Sequence, residues 1–280
     1  MSRKIYFLVS EIIPFSETGD LAHFARYVPI RLQEHKHDVR LTSPKYGFIS
    51  ERKYTLREVI RLREIECEMN GDIVMASAKS AFIPKTRVQV YFMEHPDWFQ
   101  PLNPLLYKSR NGRPLSDNDE RFAFFSKTAL CMLTHLFWSP DVILCNDWQS
   151  ASVPIVYKQL FADKDFYKDI KTVQLLHSLD DYAQVSAGIY EKLGVKVESS
   201  GGEGKSRNSL VVACQFADLV IAIDRPGSEI SKELSSHTDF ESSYKAIESK
   251  LRTVSLKDSS EENYRTVADE INVFIEELFA

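Results

Sequence analysis

The sequence predicts a Rossmann-like α/β fold, with a doubly wound, mainly parallel sheet and helices on both faces. Short runs of β-branched and apolar residues alternate with longer segments of helical periodicity along most of the chain. Such alternation is typical of βαβ units, whose crossovers make neighbouring strands parallel. At 280 residues the chain is long enough for one large domain or two small ones with an ample core.

The N-terminal part of the alternation ends in a β-rich stretch. In order, we predict a strand at 5–10, a helix at 21–34, a strand at 39–42, and β-structure at 59–69, 73–78 and 88–93. Asn70-Gly71-Asp72 separates two of these strands, and a turn with Asn-Gly is a strong hairpin signal.

The second part of the chain predicts a more regular alternation. Residues 120–137 form the strongest helical pattern, with one apolar stripe made of Phe122, Phe125, Ala129, Leu133 and Leu136. After it we predict a strand at 141–145, a helix at 149–161, a strand at 171–176, a helix at 210–216, a strand at 219–223 and a helix at 226–234. Pro226 would lie in the first turn of the last of these helices. Residues 196–209, rich in Ser, Gly and charge, predict a mobile loop.

The C-terminal segment predicts a capped helix. Ser259 and Glu262 have the spacing of a capping box. One apolar face follows, made of Tyr264, Val267, Ile271, Phe274 and Leu278. We expect this face to pack on its own domain; the alternative is an exposed surface for a partner. The expected organisation is a Rossmann-like domain over 1–235 and a helical extension over 236–280.

Composition excludes several classes of protein. The net charge is −5 and the basic residues are scattered, which argues against a nucleic-acid binder. No window approaches the roughly 18 apolar residues of a membrane span, and the apolar run at 5–9 is too short for a signal peptide. The four cysteines lie far apart without a CxxC pair, so we predict free thiols in a reducing cytoplasm and neither a metal site nor a disulfide framework.

Polar residues follow three of the predicted strands at their carboxyl ends, where ligands bind in open parallel sheets. These residues are Ser10-Glu11 with the loop at 16–20, Asn146-Asp147-Trp148-Gln149, and His177-Ser178. Each has a structural alternative: His177 as a hydrogen-bonded structural residue, Asp147 as a helix cap, and Trp148 as core. Their convergence on one edge predicts a site there.

Long motifs occur at the same loops. They are VSEIIPF at 9–15, HDVR at 37–40 with PKYG at 44–47, YF at 91–92 with PDWF at 96–99, DNDERFAFFS at 117–126, PDVI at 140–143 with DWQ at 147–149, TV at 172–173 with His177, and the stretch from Ala217-Asp218 to Ile230. In order and spacing they resemble the glycogen and starch synthases of glycosyltransferase family 5, whose last stretch reads ADxVTTVSPTYAxEI. The resemblance covers about residues 3–234.

The resemblance implies one half of a two-domain GT-B glycosyltransferase. The family transfers glucose, with retention, from ADP-glucose to an α-1,4-glucan. It implies that Thr18 and Gly19 belong to a loop touching the donor, and that Asp147, Trp148 and His177 line the sugar side of the cleft. The family's second domain holds the nucleotide and most catalytic groups, and no such domain fits after residue 234. We therefore expect a chain that is nearly inert alone, a pseudoenzyme.

The donor loop departs from the family pattern Lys-Thr-Gly-Gly-Leu-Gly-Asp-Val. Four positions differ in charge or size: Glu17, Asp20, Ala22 and His23. An acid about 4 Å from a phosphate costs roughly 4 kcal/mol at an effective dielectric near 20. We expect that the loop no longer binds ADP-glucose in the family's manner. Asn146 and Ser178 also replace a family His and Asn.

Three hypotheses on function stay open at this point. The chain is a glucosyltransferase completed by a separate C-terminal synthase domain or by a homo-oligomer, a non-catalytic glucan-binding or regulatory module, or a scaffold that uses its terminal helix. A P-loop reading of residues 199–206, with Gly204-Lys205-Ser206, is not supported because Ser199 replaces the first Gly. The first strand–helix turn lacks a dinucleotide fingerprint, so no cofactor is predicted.

Overall fold

The structure describes residues 1–197 and 206–280 of a computed structural model. This part of the chain contains a ten-stranded main sheet and a separate two-stranded sheet made of Gln184–Ser186 and Ser206–Asn208. The strands of that part are β1 (Lys4–Leu8), β2 (Asp38–Pro44), β3 (Arg57–Glu58), β4 (Ile65–Met69), β5 (Asp72–Phe82), β6 (Gln89–Glu94), β7 (Val142–Asn146), β8 (Lys171–Leu176), β9 (Gln184–Ser186), β10 (Ser206–Asn208), β11 (Leu219–Asp224) and β12 (Leu251–Ser255).

The sheet is mainly parallel, which confirms the predicted fold class. Its order is β12-β11-β8-β7-β1-β2-β6-β5-β3, with β4 paired to β5. All neighbours from β12 to β6 are parallel, and β5 is antiparallel to β6, β3 and β4. The β4–β5 hairpin turns at Asn70 and Gly71, whose φ angles are 58° and 81°, as the Asn-Gly signal predicts.

Helices cover both faces of the sheet. Among the described residues they are α1 (Asp20–Glu34), α2 (Glu51–Tyr54), α3 (Asn118–Leu136), α4 (Val153–Val156), α5 (Gly188–Leu193), α6 (Ser209–Phe216), α7 (Ile230–Glu233), α8 (Tyr244–Glu248) and α9 (Glu261–Glu277). The central strands β7 and β8 are buried along nearly their whole length, as expected of parallel strands covered on both faces. Tyr6 of β1 is fully buried, and its hydroxyl lies 2.8 Å from Thr42 Oγ1 and 3.2 Å from the Ala129 carbonyl oxygen.

The helix predicted at 149–161 is wrong as a single element. A 3-10 turn at Trp148–Ser150 is followed by α4 and then by a π-helical turn at Tyr157–Phe161. Pro154 lies in the first turn of α4. Proline is favoured in the first turn of a helix, where its missing N–H would have no helical partner, so α4 begins at Val153 and not at Gln149.

The helix predicted at 226–234 is also shorter than expected, because Pro226 begins a turn. Arg225 and Ser228 exchange backbone hydrogen bonds of 2.9 and 3.0 Å, and Gly227 has a φ of 84°. Proline followed by glycine with positive φ is the pattern of a type II turn. The helix α7 therefore begins only at Ile230.

The loop predicted at 196–209 is wrong at its C-terminal end. Residues Ser206–Asn208 form β10, which pairs antiparallel with β9. Asn208 then caps α6, because its side-chain oxygen accepts hydrogen bonds from the backbone N–H groups of Leu210 and Val211, which lack helical partners. The rest of the near P-loop stretch, residues 199–205, lies outside the described residues.

The terminal helix α9 packs on α1 of the same chain, as predicted. Tyr264, Val267 and Ile271 are fully buried. At the edge of this contact the Arg31 Nε donates to Asp269 Oδ1 at 2.7 Å. The helix begins one residue later than expected, because Ser260 rather than Ser259 accepts a hydrogen bond from a first-turn N–H.

The segment after residue 235 is not only helical, which corrects the expected helical extension. Its strand β12 extends the main sheet by pairing in parallel with β11. A domain boundary at 235 stays a prediction. Within the described residues, no helix combines the length and apolarity that crossing a membrane requires.

Candidate functional site

A cavity of about 290 Å³ opens at the carboxyl ends of β1, β7 and β8, which are neighbours in the sheet. The chain leaves β1 towards β2 on one side, and β7 lies on its other side, so this edge is a topological switch point where such folds bind ligands. The polar and aromatic residues around the cavity are Glu11, Thr18, Asp20, Tyr107, Lys108, Asp147, Trp148, Gln149, His177, Ser178, Asp180, Tyr182 and Arg225, together with Gly19.

A larger cavity, of about 830 Å³, lies elsewhere between β10, α6 and the residues near Asp239. It borders Val197 and Ser206, the two ends of the segment outside the described residues. None of the site residues predicted from the sequence lines it. The smaller cavity is therefore the candidate site.

The loop between β1 and α1 is held by the buried carboxylate of Glu11. Thr18 donates both its backbone N–H and its hydroxyl to Glu11, the hydroxyl at 2.9 Å. Tyr107 donates to the same carboxylate at 3.1 Å. Burial raises the pKa of Glu11, and these hydrogen bonds oppose the rise. Glu11 thus positions Thr18 and Gly19 at the cavity.

The two new acids of this loop each lie near a basic side chain. Glu17 is exposed, lies outside the cavity lining and contacts His23 Nε2 at 2.9 Å. Asp20 lines the cavity, with its Oδ2 3.9 Å from Arg225 Nε. Ala22 is buried inside α1. His23 is only six residues from Glu17 in the chain, whereas Arg225 comes close to Asp20 only through tertiary packing.

Asp147 holds the chain where it leaves β8. Its Oδ1 accepts the backbone N–H groups of His177 and Ser178, both at 3.2 Å, and its Oδ2 accepts the Ser178 hydroxyl at 2.9 Å. Burial, followed by the nearby charge of Asp180, raises the pKa of Asp147 to about 7. Asp147 makes no capping hydrogen bond to the turn that follows it, so the alternative of a helix cap is wrong.

His177 is buried and has one defined tautomer. Arg225 Nη2 lies 3.3 Å from its Nδ1, and because a guanidinium can only donate, Nδ1 accepts. The proton is therefore on Nε2, which donates to Asn146 Oδ1 at 3.1 Å. Burial, with the charge of Arg225, holds the pKa of His177 well below its ordinary value. The imidazole is neutral at physiological pH.

Trp148 contributes little of its own surface to the cavity. Its exposed fraction is 6%, and its ring stacks on Tyr182 at a centroid distance of 5.7 Å and an interplanar angle of 11°. Tyr182 is only partly buried. Aromatic faces pack well against the apolar faces of sugar rings, so Tyr182 is the more accessible of the two for such a contact.

The structure adds five polar or aromatic side chains to the predicted site: Tyr107, Lys108, Asp180, Tyr182 and Arg225. Arg225 directly follows β11, which is the neighbour of β8, so it too lies at the carboxyl end of a parallel strand. Because a helix was expected over 226–234, Arg225 was not expected among the site residues. The other four lie in connecting segments without a sequence signal. Among the described residues no three His, Cys, Asp or Glu side chains are grouped to hold a metal ion.

Comparisons with known proteins agree on one family. The family model described as "Starch synthase catalytic domain" matches residues 4–233. Glycogen synthase of Chlorobium limicola is 31% identical over 224 residues, which are 79% of this chain and 46% of the relative. Glycogen synthase of Chlorobium luteolum is 32% identical over 220 residues, or 78% and 45%. The chain thus spans about half the length of these curated relatives.

One solved structure shows the same fold. It is described as the catalytic domain of starch synthase IV from Arabidopsis thaliana bound to ADP and acarbose. The superposition has a TM-score of 0.74 at 21% identity and covers 91% of this chain and 51% of the other. At that identity the likeness supports the fold, which is the GT-B type of α/β architecture.

Proposed function

The chain belongs to the starch synthase catalytic domain family, and from this premise we propose that it is a glucan-binding module of glycogen metabolism that does not transfer glucose by itself. Its curated relatives are named glycogen synthases. In this proposal the cavity at the carboxyl ends of β1, β7 and β8 binds an α-1,4-glucan. The four free cysteines, three of them buried, favour a reducing compartment such as the cytoplasm.

The observation that carries the proposal is the convergence of the three sugar-side residues. Asp147, Trp148 and His177 line one cavity, although the chain separates them by up to 30 residues. Carboxylates and hydroxyls around them, from Asp180 and Ser178, are suited to the hydroxyl groups of a sugar, because each carboxylate accepts several hydrogen bonds. The neutral His177 adds no charge that would oppose a neutral ligand.

The donor loop supports the second part of the proposal. Glu17 points to His23 and lies outside the cavity lining, so the position of the family's loop lysine supplies no cation. Asp20 adds a carboxylate at the cavity. At this loop an anionic donor would meet the carboxylate of Asp20 and no lysine, and stabilising a departing diphosphate requires positioned cations. We therefore propose that glucosyl transfer from ADP-glucose is lost or very slow.

A second candidate function is a transferase completed by another polypeptide. The curated relatives are about twice as long as the region that this chain matches, and in this second proposal a partner polypeptide contributes the groups that the relatives carry outside that region. The scaffold hypothesis has less support, because the apolar face of α9 is buried against α1.

Calorimetric titration with maltoheptaose tests the glucan site. We expect binding that weakens about tenfold in Asp180→Asn, because a hydrogen bond to a charged group contributes about 1.5 kcal/mol or more. Asn preserves the local bond from the Tyr182 N–H to the residue-180 side chain. Asp181→Asn is the matched control, since its exposed side chain lies next to Asp180 but outside the cavity lining. Equal weakening in both variants, or no glucan binding by the wild type, rules out this site.

Transfer is measured with radiolabelled ADP-glucose and glycogen. We expect no incorporation above background by the chain alone. Incorporation by the isolated chain at a rate typical of synthases would refute the second part of the proposal. Incorporation only when a separately expressed C-terminal synthase domain is added would favour the second candidate.

A further inference from the structure

We infer that Arg225 binds the phosphoryl group of a sugar phosphate or nucleotide sugar in this cavity, and that Asp20 competes with the ligand as an internal anion. The inference rests on the proposed function in one respect, since it places the phosphoryl group beside the proposed sugar site. It concerns residues of this chain that the family pattern does not contain. The family stretch after the corresponding strand reads Val-Ser-Pro-Thr-Tyr-Ala and has no arginine.

The guanidinium of Arg225 is held in place from one side. Its Nη1 donates to the His177 carbonyl oxygen at 3.2 Å, and its Nη2 donates to His177 Nδ1 at 3.3 Å. These bonds use two of the five N–H donors of an arginine. The side chain is 18% exposed, so its charge is only partly screened by water. A cation fixed in this way is preorganised for an anion, because little side-chain entropy is lost on binding.

Asp20 lies beside the Nε donor of Arg225, which the bonds to His177 leave unused. Its Oδ2 lies 3.9 Å from Arg225 Nε, which is beyond hydrogen-bond distance. The Nε itself is buried and has no hydrogen-bond partner within the part of the chain that the structure describes. Burying a guanidinium N–H without an acceptor is unfavourable. A phosphoryl oxygen that displaced Asp20 and approached to hydrogen-bond distance would supply the missing acceptor.

The surroundings leave room for this exchange. The Asp20 side chain is 51% exposed, so it can turn into solvent at small cost. A Cβ built on Gly19 would meet no atom within 4 Å, so the space beside the loop is open. The N-terminus of α1 begins at Asp20 and has no side-chain cap, and its positive dipole end adds to the attraction for an anion.

The other carboxylates of the cavity are less able to compete for Arg225. Glu11 accepts hydrogen bonds from Thr18 and Tyr107, and Asp147 accepts them from the residues after β8. Asp180 accepts the Tyr182 N–H at 3.2 Å. Asp20 differs from them because its exposed side chain forms an ion pair with Arg225, at 3.9 Å and without a hydrogen bond. Lys108 also lines the cavity and provides a second positive charge. Of the ligands that a guanidinium recognises, a phosphoryl group is favoured over a neutral sugar because its charge replaces that of Asp20.

The experiment compares phosphorylated and neutral probes. Glucose 1-phosphate, ADP-glucose and maltoheptaose are titrated into the wild type, Asp20→Asn, Arg225→Gln and the double variant. We expect Asp20→Asn to tighten binding of both phosphorylated probes about five- to tenfold, since the competing charge is removed. Arg225→Gln should weaken the same two probes at least tenfold. Maltoheptaose should bind with a Kd that changes less than twofold in Asp20→Asn.

The double variant distinguishes competition from a general charge effect. If Asp20 acts through Arg225, Asp20→Asn has no effect on phosphate binding in the Arg225→Gln background. An equal gain in both backgrounds overturns the inference. Lys232→Gln is the control for net charge, because Lys232 is an exposed cation away from the cavity. This variant should leave the Kd of both phosphorylated probes unchanged. Arg225→Lys keeps the charge and should retain part of the phosphate affinity, and thermal unfolding checks that each variant folds.

The outcomes also separate this inference from the proposed function. Maltoheptaose binding with no binding of either phosphorylated probe by the wild type or Asp20→Asn overturns the role of Arg225 and leaves the glucan site intact. Phosphate binding that follows the expected pattern, without any binding of maltoheptaose, supports Arg225 and contradicts the glucan site.

Discussion

Arg225 and His177 are joined by two hydrogen bonds, from Nη1 to the backbone oxygen at 3.2 Å and from Nη2 to Nδ1 at 3.3 Å. The pair connects the ends of β11 and β8, which are adjacent in the sheet. It fixes the imidazole as a neutral tautomer and at the same time holds a permanent cation at the cavity. The chemistry of the cleft therefore depends on two residues 48 positions apart.

Asp147→Asn is expected to stabilise the protein above pH 7 and to have little effect near pH 4. The pKa of Asp147 is raised to about 7 from 3.8, so between these values the folded protein retains a proton that the unfolded chain has lost. Stability from this group falls as pH rises from about 4 to 7 and is then constant. The full difference is about 2–4 kcal/mol by linkage.

This prediction is measured by urea unfolding of both proteins from pH 4 to pH 8. Asp180 and His177 titrate in both proteins, and the difference between the two curves largely removes their contributions. Asn can accept the His177 and Ser178 N–H groups through its oxygen, so the fold should persist. A difference that does not grow between pH 4 and pH 7 would show that Asp147 has an ordinary pKa.

Ser260→Ala and Ser259→Ala distinguish the observed cap of α9 from the cap expected from the sequence. Ser260 Oγ accepts the Asn263 N–H at 3.3 Å. Its removal should lower the free energy of unfolding by about 1 kcal/mol, because a first-turn N–H loses its partner. Ser259→Ala should cost less than about 0.5 kcal/mol. Chemical denaturation measures both, and a larger loss at Ser259 would place the cap there.

Ile271→Ala tests how much the packing of α9 on α1 stabilises the protein. Ile271 is fully buried, so its truncation should cost about 2–4 kcal/mol through lost burial and a cavity. Val273→Ala is the matched control, because Val273 is 55% exposed and should change stability by less than about 0.5 kcal/mol. Comparable losses in the two variants would mean that this face of α9 does not pack on the domain in solution.

Gly47→Ala is expected to destabilise the loop that follows β2. A Cβ at Gly47 would lie 2.1 Å from the Gln100 backbone oxygen, and backbone atoms cannot move aside cheaply. We expect a loss of about 1–3 kcal/mol. At Gly188 a Cβ would meet only the Ser186 Oγ at 3.7 Å, so Gly188→Ala, in the first turn of α5, should be neutral or stabilising by up to about 1 kcal/mol. Thermal unfolding of the pair checks the opposite signs.

Periodicity predicted the central sheet well. Strand β8 has the predicted bounds, Lys171–Leu176, and β11 begins at the predicted Leu219 with the continuous apolar run expected of a buried parallel strand. The same signal was misleading at 149–161 and 226–234. In both segments a proline influences where the helix begins, and the spacing of apolar residues does not predict that position.

The part of the site that lies at strand ends could be predicted from the sequence. Asp147 and His177 each follow a parallel strand directly, and parallel strands carry their carboxyl ends to one edge. Tyr107 and Tyr182 come from irregular loops, whose path depends on what they pack against. No pattern in the local sequence predicts that these two tyrosines line the cavity.

By itself the sequence determined the parallel sheet and the edge at which polar residues gather, because both follow from local order and periodicity, and its motifs carried the resemblance to the family. Only the tertiary structure decided the charge balance of the cavity. Glu17 is near its partner His23 in the sequence, but Asp20 and Arg225 are 3.9 Å apart only because α1 and the turn after β11 meet at the same edge of the sheet. Electrostatic energy depends on distance in space, and that distance is set by the packing of the whole chain.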